Sequence, residues 1–149
     1  MKAGEPAWDE GYIQVYTGDG KGKTSAALGA MLRCWGRGMK PVMLSFIKSE
    51  TANFGEERAA RRLGIEIIPL GGGFTWLSKD LERDKQLAQR CWALCLEKLT
   101  SGDYDLVVFD EITYPINYGW LDLADVLTAL RERPPNTHVI LTGRAAPQA

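Results

Sequence analysis

Short apolar segments alternate with longer amphipathic segments along the chain. Apolar runs bounded by glycine, proline or polar residues predict strands, and apolar positions that recur every three or four residues predict helices. The predicted strands are 12–17, 41–47, 65–69, 106–109 and 137–142. The predicted helices are 23–37, 56–63, 80–100 and 123–131, the last with Asp122 as its N-cap. Strands separated by helices predict a three-layer α/β fold with a mainly parallel sheet.

A glycine-rich loop connects the first predicted strand to the first predicted helix. Residues 17–24 are Thr-Gly-Asp-Gly-Lys-Gly-Lys-Thr. Glycines let successive backbone N–H groups point at one anion, and the N-terminus of the following helix attracts the same negative charge. In such a loop Lys23 contacts phosphate oxygens and Thr24 offers its hydroxyl to Mg²⁺. The predicted nucleotide-binding residues of the loop are Gly18, Asp19, Gly20, Lys21, Gly22, Lys23, Thr24 and Ser25.

The loop departs from the usual phosphate-loop pattern at Thr17, where that pattern begins with glycine. A glycine-rich hairpin with a chance Lys-Thr pair is the alternative interpretation. The strand before the loop and the helix after it favour a phosphate loop. We therefore expect a P-loop NTPase-like (RecA-like) fold.

Two carboxylates, Asp110 and Glu111, follow the fully apolar segment 106–109. Open parallel sheets bind ligands at the carboxyl ends of their strands, and Thr17 and Arg144 are predicted at the same edge. One carboxylate there holds Mg²⁺ directly or through water, while its neighbour polarises a water or adds a second ligand. A solvated strand end is the alternative. The apolar residues before Asp110 favour the ligand site, because they predict a strand buried on both faces.

Composition narrows the class of protein. The length of 149 residues predicts a single domain, with 1–10 as a flexible arm. A net charge of −1 argues against a nucleic-acid partner, and no apolar run approaches the roughly 20 residues that span a bilayer. The N-terminal segment lacks the apolar core of a signal peptide, so we expect a cytoplasmic protein with reduced cysteines. We expect Cys91 and Cys95 in the core and His138 at a strand edge, rather than as metal ligands.

Two large aromatic residues, Phe74 and Trp76, lie one residue apart in a glycine-rich segment that is predicted to be a loop. Exposed aromatic side chains on a loop suggest a flat, apolar co-substrate. Packing of both rings against the core is the alternative.

Six segments occur in the order and approximate spacing of a known family. They are residues 18–27, 46–48, 55–58, 73–76, 108–114 and 142–144. Together they resemble the corrinoid adenosyltransferases of cobalamin synthesis and salvage, also called cob(I)yrinic acid a,c-diamide adenosyltransferases. The most specific motifs are Gly-Lys-Gly-Lys-Thr, Phe-Thr-Trp and Asp-Glu-Ile-Thr-Tyr. The resemblance covers about residues 11–147.

The resemblance implies a reaction in which ATP and a cob(I)alamin or cob(I)inamide-type corrinoid give the adenosylated corrinoid and triphosphate. Reduced cobalt is then the nucleophile that attacks the ribose C5′, and the nucleotide lies reversed in the loop. This accounts for the lack of a recognisable protein nucleophile motif. The implied catalytic residues are Lys21, Lys23 and Glu111. Thr24 and Glu111 are implied to hold Mg²⁺ with support from Asp110, and Arg144 to contact phosphate.

The resemblance also implies the corrinoid-binding residues, which are Phe74, Thr75, Trp76, Tyr114 and Asn117. In the family, the positions of Phe74 and Trp76 lie against the corrin ring, where they displace the lower axial ligand and ease reduction of cobalt(II). Packing is an equally good account of Tyr114 and Asn117. An electron-donating flavoprotein and a second copy of the chain are the implied protein partners.

Two other functions are compatible with the phosphate loop and the carboxylates: a RecA-like nucleotide-dependent switch or ATPase, and a nucleoside kinase. Family members commonly continue past Thr-Gly-Arg with a further helix and strand, and some carry a longer N-terminal arm. We therefore expect either that the sheet lacks an edge strand or that the chain is shortened. These departures affect how the site closes over the bound corrinoid and how two subunits pair, but they do not affect the predicted phosphate site.

Overall fold

The computed structural model describes residues 11–46, 55–70 and 81–148. In chain order the strands are β1 (Ile13–Thr17), β2 (Pro41–Ser45), β3 (Glu66–Pro69), β4 (Leu106–Asp110) and β5 (His138–Gly143). The helices are α1 (Lys23–Gly36), α2 (Gly55–Arg62), α3 (Leu81–Thr100), α4 (Thr113–Asn117) and α5 (Leu123–Glu132). The predicted arm 1–10 and the predicted loop 71–76 lie outside the described residues.

The five strands form one parallel sheet in the order β1-β5-β4-β2-β3. In this order β5 separates β1, which leads into the glycine-rich loop, from β4, which ends in Asp110. The register pairs Thr17 with Gly143 and Ser45 with Asp110. Because all strands are parallel, their carboxyl ends meet at one edge, where ligands of such sheets bind.

Both faces of the sheet are covered, because side chains of successive strand residues point to opposite faces. On one face, the buried residues of α1 and α2 pack with Met43, Val108 and Ile140. On the other face, residues of α3 and α5 pack with Leu44, Phe109 and Leu141. Full burial of such a side chain contributes roughly 1.5–3 kcal/mol. The predicted three-layer α/β fold with a parallel sheet is therefore confirmed.

The strands differ in burial according to their place in the sheet. Every residue of β2 and β4 is buried, as predicted for the apolar segment 106–109. In contrast, β1 is an edge strand among the described strands, and its Ile13 and Val15 are 41% and 51% exposed. Within the described ranges, no helix has the length and apolar character required to cross a membrane.

Most predicted elements agree with the structure to within a few residues, and the N-cap at Asp122 is confirmed by a 2.9 Å bond from the Ala124 N–H. Cys91 and Cys95 are buried, and His138 begins β5, as expected. The predicted strand 41–47 is too long, because β2 ends at Ser45. Helix α4 was not predicted.

Hydrophobic periodicity does not predict α4, because this helix has only five residues and contains Pro115. A proline in the first turn of a helix removes no intrahelical hydrogen bond, so the helix tolerates it. The start of α4 packs tightly on the end of β5. A Cβ atom at Gly143 would lie 1.8 Å from Oγ1 of Thr113, and Gly143 has a φ of 151°. Only glycine fits at this contact.

Candidate functional site

The glycine-rich loop turns sharply into α1. Gly18 and Gly22 have φ values of 127° and 104°, which glycine adopts readily, and Gly22 is the N-cap of α1. The Lys23 ammonium bridges the loop, because Nζ donates to the carbonyl oxygens of Gly18 at 2.8 Å and Gly20 at 2.6 Å. The loop is thus closed around a cationic side chain at the N-terminus of a helix, an arrangement that favours anions.

Asp110 is the centre of a buried hydroxyl network at the carboxyl ends of three strands and the start of α1. The residue is completely buried. Its Oδ1 accepts hydrogen bonds from the hydroxyls of Thr24 at 2.8 Å and Thr142 at 2.7 Å. Its Oδ2 accepts one from the Ser45 hydroxyl at 3.0 Å. These bonds fix the Asp110 carboxylate relative to the phosphate loop and offset the cost of burying it.

Glu111 adopts a backbone conformation that is unusual for a residue with a side chain. Its φ of 60° lies in the left-handed region, which carries a cost of order 1–3 kcal/mol. Its N–H donates to the Thr142 hydroxyl at 2.9 Å, which helps to hold this conformation. The same hydroxyl donates to Asp110, so Thr142 connects both carboxylate residues.

Glu111 and the glycine-rich loop line the same cavity, which has a volume of about 210 Å³. Three cationic residues, Lys21, Lys23 and Arg144, line this cavity with Glu111. The other lining residues are Gly20, Gly22, Thr24 and Ser25. An excess of positive charge beside a helix N-terminus suits a polyphosphate.

A second cavity, of about 380 Å³, adjoins the first and shares Glu111 and Arg144 with it. Its other walls come from α4 and the turn after β5. The Tyr114 and Tyr118 rings are stacked there, with centroids 4.4 Å apart. The pKa of Tyr114 is raised by burial of its hydroxyl, by a hydrogen bond and electrostatic interaction with Tyr118, and by the negative charge of Asp84. Tyr114 therefore presents a neutral aromatic surface beside the cationic cavity.

A larger cavity of about 450 Å³ lies elsewhere, between β1 and α1. It is lined by residues at the amino ends of β4 and β5, including Leu106 and His138. Because ligands of open parallel sheets bind at the carboxyl ends of the strands, size alone does not make this cavity the functional site.

The predicted Mg²⁺ residues offer oxygen atoms, the ligands that Mg²⁺ prefers. The Thr24 hydroxyl gives its hydrogen to Asp110, which leaves the oxygen lone pairs to face a cation. No three His, Cys, Asp or Glu side chains form a metal cluster within residues 11–46, 55–70 and 81–148. The Thr24 and Glu111 oxygens fit Mg²⁺, which usually takes further ligands from phosphate and water when it binds with a nucleotide.

The residues that line the smaller cavity are all among those predicted from the sequence. Gly18 and Asp19 do not line the smaller cavity, although the Gly18 carbonyl anchors Lys23. Phe74, Thr75 and Trp76 lie outside the described residues. Ser45 and Tyr118 were missed. The position of Ser45 at the polar end of an apolar strand was a usable signal, whereas Tyr118 follows the unpredicted α4.

Comparison with known proteins gives consistent matches. Residues 9–149 match the family described as ATP:corrinoid adenosyltransferase BtuR/CobO/CobP. The chain is 39% identical over 140 residues to the corrinoid adenosyltransferase of Pseudomonas aeruginosa, covering 93% of this chain and 68% of that protein. The corresponding enzyme of Escherichia coli K12 is 39% identical over 136 residues, which cover 91% of this chain and 69% of the relative.

Similarity to a solved structure is weaker. A KaiC-like protein from Pyrococcus horikoshii superimposes with a TM-score of 0.47 at 19% identity, covering 97% of this chain and 71% of that one.

Proposed function

Because the chain belongs to the ATP:corrinoid adenosyltransferase family, we propose that it transfers the 5′-deoxyadenosyl group of ATP to the cobalt of a reduced corrinoid and releases triphosphate. The observation that carries this proposal is the family match over residues 9–149, which includes every element of the site. Curated relatives at 39% identity bear the name corrinoid adenosyltransferase.

The chemistry of this transfer suits the groups at the site. Cobalt(I) supplies an electron pair that forms a cobalt–carbon bond to C5′ of the ribose, while the bond from C5′ to the phosphate oxygen breaks. The triphosphate leaves with that bonding pair, and cobalt becomes formally cobalt(III). No protein nucleophile takes part, so the protein contributes positioning and stabilisation of the leaving group.

The leaving triphosphate carries several negative charges. Lys21, Lys23 and Arg144 line the smaller cavity, and each is a suitable partner for phosphate oxygens. Lys23 reaches a phosphate by exchanging its bonds to the Gly18 and Gly20 carbonyls for charge-assisted bonds. These cations stabilise negative charge that grows on the bridging oxygen as the bond to carbon breaks.

Thr24 and Glu111 would hold Mg²⁺, with Asp110 orienting the Thr24 hydroxyl through their 2.8 Å hydrogen bond. Bound Mg²⁺ would neutralise part of the charge on the triphosphate. Because Asp110 is completely buried and already accepts three hydroxyl hydrogen bonds, we assign it a supporting role.

The corrinoid is assigned to the aromatic side of the site. The stacked Tyr114 and Tyr118 rings line the cavity that shares Glu111 and Arg144 with the phosphate cavity. A ligand that occupies both cavities therefore extends from the cationic region to the aromatic region. The family positions of Phe74, Thr75 and Trp76 complete the proposed corrinoid site.

The wider setting of the reaction follows from its need for cobalt(I). A reduced metal requires an electron donor, which we propose is a flavoprotein, and a reducing compartment, which we propose is the cytoplasm. We also propose that the enzyme acts as a homodimer in the synthesis or salvage of adenosylcobalamin, in keeping with the family resemblance.

The direct test is to incubate the protein with ATP, Mg²⁺ and a chemically reduced corrinoid. We expect the visible spectrum of a cobalt–carbon bond and one triphosphate per adenosylated corrinoid. Release of free phosphate that does not depend on corrinoid would instead indicate a nucleotide-dependent switch or ATPase. Transfer of the γ-phosphate to a nucleoside would indicate a kinase.

A further inference from the structure

The turn that carries Arg144 is held from two sides. The Asn117 side-chain amide, at the end of α4, donates to the carbonyl oxygens of Arg144 at 3.5 Å and Ala145 at 3.0 Å. On the other side, the Ala146 N–H donates to the Thr17 hydroxyl at 3.2 Å. The polypeptide after β5 is thereby tied both to α4 and to the strand that leads into the phosphate loop.

The turn does not hold this shape by local preference. Ala145 has a φ of 50°, a conformation that costs an alanine roughly 1–2 kcal/mol. Tertiary contacts must therefore maintain it, and the bonds from Asn117 are directed at the two carbonyls that flank the strained position. Without them the turn would relax, and the direction of the Arg144 side chain would change.

Arg144 lines both the phosphate cavity and the aromatic cavity, whereas Asn117 lines only the aromatic one. The amide hydrogens of Asn117 point at main-chain carbonyls of residues 144 and 145. We propose that Asn117 is a positioning residue that holds Arg144 over the phosphate loop and so sets the affinity for the polyphosphate of the nucleotide. This inference rests on the proposed function and gives Asn117 a role at the phosphate end of the site.

The test is a double-mutant cycle on ATP binding, measured by calorimetry without corrinoid. Asn117→Ala and Arg144→Ala should each weaken ATP binding about tenfold, the usual effect of losing one charge-assisted hydrogen bond. In the Arg144→Ala background, Asn117→Ala should change the affinity less than about twofold, because it acts through the missing side chain. Adenosine, which has no phosphate, should bind all four proteins equally.

Two further variants keep the test decisive. Asn136→Ala removes an exposed asparagine at the amino end of β5 and should leave ATP affinity unchanged. Asn117→Leu keeps a branched, uncharged side chain of similar size but has no amide to donate to the two carbonyls, so it should weaken ATP binding like Asn117→Ala. This second variant replaces Asn117→Ala in the cycle if Asn117→Ala does not fold.

Three results would overturn the inference. They are unchanged ATP affinity in a folded Asn117 variant, independent effects of the two substitutions, and a raised corrinoid KM with ATP affinity intact. Because binding is measured without corrinoid, a protein that binds ATP as described but transfers no adenosyl group would refute the proposed function alone.

Discussion

The hydroxyl of Thr24 donates a hydrogen bond to Oδ1 of Asp110 at 2.8 Å, although the two residues are 86 positions apart in the sequence. Thr24 lies in the first turn of α1, and Asp110 is the last residue of β4. The bond joins the phosphate loop to the carboxylate that ends the buried strand. It also directs the Thr24 hydrogen away from the cavity, so that the oxygen is available to a cation.

Thr24→Ala should therefore remove the effect of Mg²⁺ on ATP binding. Unfolding free energy should fall by about 1 kcal/mol, because Asp110 keeps its bonds from Ser45 and Thr142. Calorimetry of ATP binding with Mg²⁺ and with EDTA measures the first effect, and urea denaturation measures the second. Thr24→Ser retains the hydroxyl and should behave like the unsubstituted protein. A Thr24→Ala protein with normal Mg²⁺ dependence would show that Thr24 is not a metal ligand.

Lys23→Ala should abolish adenosyl transfer and weaken ATP binding by about tenfold or more, because a charge-assisted bond to phosphate is lost. The fold should survive, since the carbonyls of Gly18 and Gly20 that Lys23 contacts lie in an exposed loop and can bond to water. Lys98→Ala on α3 makes the same change in net charge and is the matched control, because Lys98 contacts Glu66 at the amino edge of the sheet, opposite the loop. Equal ATP affinities for the two variants would contradict the assignment of Lys23.

Sequence patterns predict those residues of the site that can be recognised from their neighbours in the chain. Gly22 and Lys23 lie where a loop becomes a helix, and Asp110 and Glu111 end an apolar strand, so neighbouring residues identify them. The three hydroxyls around Asp110 are different. Thr24, Ser45 and Thr142 meet at one carboxylate only because β4 lies between β5 and β2, and local patterns do not determine strand order.

The aromatic side of the site shows a second limit. The resemblance implies that Tyr114 and Asn117 bind the corrinoid, but it does not place them on a helix. Because α4 is short and contains Pro115, periodicity could not show that Tyr118 stacks on Tyr114. Nor could it show that Asn117 turns back to the chain after β5, 28 residues further along.

Gly143→Ala should destabilise the protein by more than about 2 kcal/mol, the range of a serious overpacking clash. The new Cβ would lie 1.8 Å from Thr113 Oγ1, and the alanine would also have to adopt the φ of 151°. Gly102→Ala is the control, because its φ is 76° but, apart from its chain neighbours, no described residue has an atom within 4 Å of the added Cβ. It should cost only about 1–2 kcal/mol for the backbone. Similar urea midpoints for the two variants would show that the Thr113 contact is not tight.

Trp76→Ala should spare ATP binding and impair adenosylation of cobalt(II) corrinoids supplied with a mild reductant. The reason is the proposed contact of Trp76 with the corrin, which eases reduction of the metal. Chemically prepared cobalt(I) corrinoid should largely restore the rate, because that step is then bypassed. Trp35→Ala, which truncates a partly exposed tryptophan on α1, should match the unsubstituted protein in both assays. Normal activity of Trp76→Ala under limiting reduction would remove this residue from the corrinoid site.

His138, the only histidine, should make stability depend on pH. Its pKa lies below the ordinary 6.5 because burial and the nearby Arg133 charge disfavour the imidazolium, with Asp105 opposing them. Below pH 6.5 the unfolded chain binds a proton that the folded chain does not, so acidification favours unfolding. The stabilisation is complete above this pH and is lost as the pH falls towards the folded-state pKa.

Urea denaturation at about pH 8 and about pH 5.5 brackets the titration of an unperturbed histidine and measures this loss. An asparagine side chain does not titrate in this pH range. Its amide oxygen can still accept the hydrogen bond that the Tyr12 N–H donates to Nδ1 of His138 at 3.0 Å. His138→Asn should therefore lose less stability than the unsubstituted protein between the two pH values, while carboxylates contribute equally to both. Identical losses would mean that His138 titrates alike in the folded and unfolded chains.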